Sequence, residues 1–175
     1  MARRYIITLL LFILFIIENT IVVLFLPEAW QTRIVPHLVF VVILFASIYD
    51  HRHVGLILGI CFGLLQDVVF YGAMMGQYSF AMGLSAYLIG LVFRSRRSSM
   101  SVMMIAVIVG SLLLDSILFG IYTLFKLTHE TYAFNLLDHI VPNMIVQVIF
   151  ALIIYVPLRR QIEKMATKRT KEETV

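Results

Sequence analysis

The chain has 175 residues, 61% of them hydrophobic and 14% charged, with a formal net charge of +4 and a mean hydropathy of +0.97. A soluble domain carries about 25% charged residues, so this composition excludes one and describes an integral membrane protein. A span needs about 20 apolar residues to cross about 30 Å of hydrocarbon, which leaves room for roughly six helices in one domain, residues 1–175, and for no soluble domain.

In chain order, Arg3 and Arg4 precede an apolar run from Tyr5 to Leu26. That run is too long for the apolar region of a signal peptide, and no small-x-small cleavage pattern follows it, so it predicts an uncleaved first helix ended by Pro27. The second span is Ile34 to Tyr49, with Pro36 in its first turn, where a missing amide hydrogen is tolerated. It is the shortest and least distinct of the set. The third runs from Val54 to Tyr71, the fourth from Tyr78 to Phe93, the fifth from Ser101 to Phe125 and the sixth from His139 to Leu158. Connections are short, which makes neighbours antiparallel, except for an outer one from Lys126 to Asp138. Residues 158–175 form a basic tail that extends the last helix into the cytoplasm and faces lipid headgroups.

Arranged this way, 12 of the 14 Lys and Arg residues fall on the side of the N-terminus, and only Arg33 and Lys126 remain on the other. The positive-inside rule then predicts an all-α bundle of six spans with both termini cytoplasmic, and it accounts for the net charge without nucleic-acid binding.

Three spans are interrupted by an acid: Glu18, Asp67 and Asp115. An ionisable group in hydrocarbon costs roughly 2.5 to 3.5 kcal/mol on insertion scales, so it turns inward or finds a partner. Counting at about 1.5 Å per residue from the cytoplasmic ends puts all three at roughly 20 Å, in the outer half of the membrane. Asn143 reaches the same level, and Asn19, Gln66 and Gln147 lie close by. No Lys or Arg lies inside a span to neutralise the acids. The expectation is a polar layer of Glu18, Asn19, Asp67, Asp115 and Asn143 that binds a partner helix or a ligand; the plainer alternative is interhelical glue.

Gly55, Gly59 and Gly63 recur every fourth residue of the third span and form one close-packing face. Asp67, four residues further on, belongs to that same face. Gly72, Gly76 and Gly83 surround the turn that follows, which carries Met74 and Met75.

Signals for chemistry are weak. The histidines lack zinc-ligand spacing, Cys61 is a lone cysteine, and there is no P-loop, no G-x-S-x-G elbow and no aspartyl-protease motif around Asp67 or Asp115. No catalytic residue, metal or cofactor is expected.

The run Val54-Gly55-Leu56-Ile57-Leu58-Gly59-Ile60-Cys61-Phe62-Gly63-Leu64-Leu65-Gln66-Asp67, followed by Gly76, resembles the third-helix pattern of the MreD family of rod shape-determining membrane proteins. Chain length, basic N-terminus, Pro36 and the second membrane aspartate, Asp115, are similar to that family too, so the resemblance covers essentially the whole chain. It implies a component of the bacterial elongation machinery in the plasma membrane. Its implied partners are the bitopic protein MreC and, through it, the MreB filaments and the RodA synthase with its class B penicillin-binding protein. It also implies a fold similar to the substrate-binding subunits of energy-coupling-factor transporters. The reading is a non-enzymatic scaffold; the alternative is a small-molecule or lipid-intermediate binding subunit with an intramembrane polar pocket.

Overall fold

The computed structural model of the chain describes residues 9–18, 20, 37–70, 74–93, 99–128 and 131–172, with side chains as far as residue 156 except that of Phe70. The described residues are helical, without strands. Helix α1 is Leu9–Glu18, α2 is Leu38–Tyr49, α3 is Arg52–Phe70, α4 is Gln77–Val92 and α5 is Met100–Leu124. A short α6, Tyr132–Asn135, runs through a π-helical turn, Leu136–Ile140, into α7, Val141–Glu172. Among the described residues, three stretches are long and apolar enough to cross a membrane: Arg52–Val69, Met100–Leu124 and Tyr132–Val156. Helices α1, α2 and α4 are shorter apolar helices.

Every residue of α2 from Leu38 to Ile48 is buried. A helix that is hydrophobic all round has no face for solvent and sits in the middle of a bundle. The least distinct span of the sequence is therefore the centre of the core. It packs against α3, α4, α5 and α7, and Leu11, Leu14 and Phe15 of α1 belong to the same buried cluster. The long helices keep apolar rows on the outside: Ile57, Ile60, Leu64 and Val68 on α3, Ile105, Ile108 and Leu112 on α5, and Ile145, Ile149 and Ile153 on α7. Apolar rows at helical spacing that face outward are what a lipid solvent requires.

The most extensive seam joins α3 and α4, and the glycine stripe builds it. A Cβ on Gly59 would lie 2.8 Å from the Gly83 Cα, and one on Gly63 would lie 2.5 Å from the Ser79 Cα. One turn nearer the start of α3, a Cβ on Gly55 would lie 2.4 Å from the Ser47 Cβ of α2. Backbones that approach this closely also exchange hydrogen bonds. Ser79 Oγ donates to the Ile60 carbonyl at 3.1 Å, and Ser47 Oγ donates to the Ala86 carbonyl at 2.7 Å. The stripe is an internal packing surface of this chain. Gly76 differs: its φ of +97° is left-handed, and an added Cβ there would meet nothing, so glycine is used for its backbone conformation alone.

Two expectations about element ends need correction. The connection drawn from Lys126 to Asp138 is helical from Tyr132 onward, so the last helix starts well before His139. Pro142 explains the geometry at that point: it has no N–H, and in an α-helix its ring would strike the carbonyl of Asp138. The π turn relieves this by widening the helix, with the Val141 amide donating to the Leu136 carbonyl. In addition, α2 begins at Leu38 with His37 as its N-cap; Pro36 and Pro27 lie outside the described residues.

Leucine at Gly63 would drive a side chain into the α4 backbone, whereas leucine at Gly76 would meet strain without a clash. Gly63→Leu should therefore lower the stability of the detergent-solubilised protein by about 3 kcal/mol. Gly76→Leu should cost about 1 to 2 kcal/mol. Thermal unfolding of the two variants beside the wild type measures the difference, and equal losses would contradict the seam described.

Candidate functional site

Helices α2 and α4 have 12 and 16 residues, about 18 and 24 Å at 1.5 Å per residue. Both fall short of a bilayer core of about 30 Å, so one end of each lies within the bundle. A helix N-terminus leaves its first amides without intrahelical acceptors, and neither helix supplies a side-chain cap of its own at His37 or Gly76. Acids from neighbouring helices do so instead. Glu18 Oε2 accepts from the Val39 amide at 3.0 Å. Asp67 accepts from the Tyr78 amide through Oδ1 and from the Ser79 amide through Oδ2, each at 3.1 Å.

These two caps are linked. Gln66 Nε2 donates to Glu18 Oε1 at 3.1 Å, and His37 Nδ1 stands 3.9 Å from the same oxygen. The His37 ring packs on the Tyr78 ring with centroids 5.5 Å apart. A circuit therefore runs from Glu18 through Gln66 and Asp67 to Tyr78 and back through His37. Glu18, Gln66, Asp67 and His37 are all buried.

Tyr78 extends the group toward α5. Its phenol lies within electrostatic reach of Tyr122, Asp67 and Asp115. Gln77 Nε2 donates to the Tyr122 hydroxyl at 2.9 Å. Asp115 is buried, and its Oδ2 has no hydrogen-bond donor among the described residues. Asp67 and Asp115 thus lie near one tyrosine, and Glu18 is joined to it through His37, but the acids are in two conditions. Glu18 and Asp67 are committed to helix amides, and Asp115 is not.

Asn143 is also buried. Ser111 Oγ lies against the amide oxygen of Gln147 and also donates to the Val107 carbonyl at 2.8 Å. Helices α5 and α7 are antiparallel, so four residues onward on one and four back on the other bring Asp115 and Asn143 to one level. Asn19 lies outside the described residues. Among the described residues, no group of three or more His, Cys, Asp or Glu is placed to hold a metal ion.

Sequence reasoning did not single out His37, Gln77, Tyr78, Ser79 or Tyr122. A signal for three of them was present: Gln77-Tyr78-Ser79 follows Gly76, a residue with no side chain to cap a helix, so the first amides of α4 needed an acceptor from elsewhere.

Residues 3–165 match the family model for the rod shape-determining protein MreD. The chain belongs to the MreD family. Its curated relatives include the rod shape-determining protein MreD of Bacillus subtilis (strain 168), 27% identical over 124 residues, which are 71% of this chain and 72% of the relative. No solved structure matches the chain. Membership gives the chain a role in rod-shape determination, as an integral membrane protein of a family known for shape and not for catalysis.

For an MreD-family chain with two acid caps, the caps should carry measurable stability. Asp67→Asn keeps one acceptor oxygen and turns an NH2 group toward the second amide, so it should cost about 2 kcal/mol, and Asp67→Leu should cost more. Both are read as loss of the folded fraction on heating in detergent. Unchanged melting of Asp67→Leu would mean that the Tyr78 and Ser79 amides do not depend on this carboxylate.

Proposed function

We propose that this chain is a non-enzymatic scaffold of the elongation machinery in the bacterial plasma membrane, crossing it six times with both termini in the cytoplasm. It binds the transmembrane helix of MreC and so helps to position lateral wall synthesis, with MreB, RodA and the class B penicillin-binding protein reached indirectly. Family membership supports the shape role. The observation that carries the rest is how the polar groups are spent. Glu18 and Asp67 bind helix amides, which holds the bundle together. The outer faces of α3, α5 and α7 are continuous apolar rows, suited to lipid and to a partner helix alike. The distribution of basic residues supports the topology.

The glycine stripe is internal, so leucine at Gly59 or Gly63 reports on folding more than on partner contact. The outer rows are the informative positions. Ile57→Trp, Ile108→Trp and Ile149→Trp each enlarge one exposed position on one long helix without touching the core. One of the three is expected to lower MreC recovery in co-purification by roughly tenfold, equivalent to about 1.4 kcal/mol, and to round the cells at unchanged membrane levels. Full recovery and normal rods for all three would overturn the docking reading.

A second reading is a small-molecule or lipid-intermediate binding subunit, similar in fold to energy-coupling-factor substrate subunits. One observation favours it: Asp115 Oδ2 and Gln77 Oε1 are buried without donors.

A further inference from the structure

Arg52 is the first residue of the apolar stretch Arg52–Val69, so its charged head belongs to the level where hydrocarbon gives way to headgroups. Its backbone rests on α4. A Cβ added at Gly90 would lie 3.1 Å from the Arg52 Cβ and 3.2 Å from the Arg52 Cα. The guanidinium carbon stands 5.7 Å from the centroid of the Tyr87 ring, and the His53 ring stands 5.9 Å from that same ring, tilted by 49°. Tyr87 therefore gathers two neighbouring basic side chains at one point, at the end of the α3–α4 seam.

An arginine over a phenol is attracted to the ring face, while its five N–H donors lie in the guanidinium plane and point away from the ring. Those donors are unspent. Among the described residues, half-buried Arg52 has no ion-pair partner and no acceptor for its N–H groups. Asp50, in the turn just before it, does not pair with it. A guanidinium oriented by a ring and left without a carboxylate suits an anion, and its forked donors fit two phosphate oxygens at once.

The surface beside this cluster selects the kind of anion. Arg52 lies against Gly90, Gly59 against Gly83 and Gly63 against Ser79, so α3 and α4 are antiparallel and their outer rows start from the same end. His53, Ile57 and Ile60 share one face of α3, and Tyr87 and Phe80, two turns apart, share one face of α4. Ile57, Ile60 and Phe80 are exposed. Ile60 lies over Gly83, where an added Cβ would come within 2.9 Å of its Cγ1, so the two rows meet without a ridge between them. A basic head above an exposed apolar strip has the polarity that complements a phospholipid. A soluble phosphate would use only the head.

We propose that Arg52 and His53, positioned by Tyr87, bind the phosphate of one anionic phospholipid, whose acyl chain lies along the α3–α4 seam over Ile57, Ile60 and Phe80. The distribution of basic residues puts this lipid in the cytoplasmic leaflet. The inference rests neither on MreC docking nor on a polar pocket inside the bundle.

The test uses the full-length protein, delipidated in detergent and melted with added phosphatidylglycerol, phosphatidylcholine of the same chains, or inorganic phosphate. Phosphatidylglycerol at ten times its Kd should raise the melting temperature by roughly 3 to 6 °C, and the other two should not. Arg52→Gln should raise the lipid concentration needed for half the shift by about tenfold. Arg52→Lys, which keeps the charge should Arg52→Gln fail to fold, loses the fork and the ring stacking and should raise it about threefold. Asp50→Asn, which removes the acid of the adjoining turn, should not raise it. Lys126→Gln, at an exposed lysine just beyond the far end of α5, should keep the wild-type response. Equal shifts with the two phospholipids overturn the proposal, as does a wild-type response from Arg52→Gln or an equal loss in Lys126→Gln. A shift with inorganic phosphate as large as that with phosphatidylglycerol overturns it too, because the ligand is then a soluble anion.

Discussion

The structure depends on keeping two helix N-termini satisfied inside a membrane bundle. Helices α2 and α4 are too short to bring their first amides out to water, and an unsatisfied backbone group in hydrocarbon costs several kcal/mol. A carboxylate is the strongest acceptor available to a protein, and at a helix N-terminus it also meets the positive end of the dipole. Glu18 and Asp67 fill that requirement from α1 and α3. Their cost as membrane acids is therefore offset by removing a second cost, that of bare amides. The glycine stripe belongs to the same solution. Asp67 reaches two consecutive amides because Gly59 and Gly63 let α3 approach the α4 backbone directly.

Much of this was legible in the sequence, and the failures have physical causes. The all-helical class follows from hydropathy. The close-packing face follows from glycines at every fourth position. Hydropathy does not say how a helix is surrounded, so α2, the least distinct span, gave no sign of being the centre of the core. Nor does depth reveal what an acid touches. Glu18, Asp67 and Asp115 read as three equivalent members of a layer, yet two of them accept from backbone amides, groups that no side-chain inventory displays. The early start of the last helix was hidden for a related reason. The polar run from Lys126 to Asp138 reads as a connection, and the π turn that carries the helix past Pro142 has no sequence signature of its own.

The acids divide into two kinds. Around α2 the core is closed by apolar packing and by the caps, and the outward rows of α3, α5 and α7 as far as Ile153 are apolar. Asp115 stands apart from both, on α5, and Ser111 and Gln147 tie α5 to α7 one turn away.

The two caps share one more property: each is supplied by a helix that comes earlier in the chain than the one it caps. Glu18 of α1 serves α2, and Asp67 of α3 serves α4. A membrane chain emerges from the ribosome N-terminus first, so the acceptor is always made before the amides that need it. Helices α1 with α2, and α3 with α4, are thus pairs in which the earlier helix carries the hydrogen-bond acceptor for the later one.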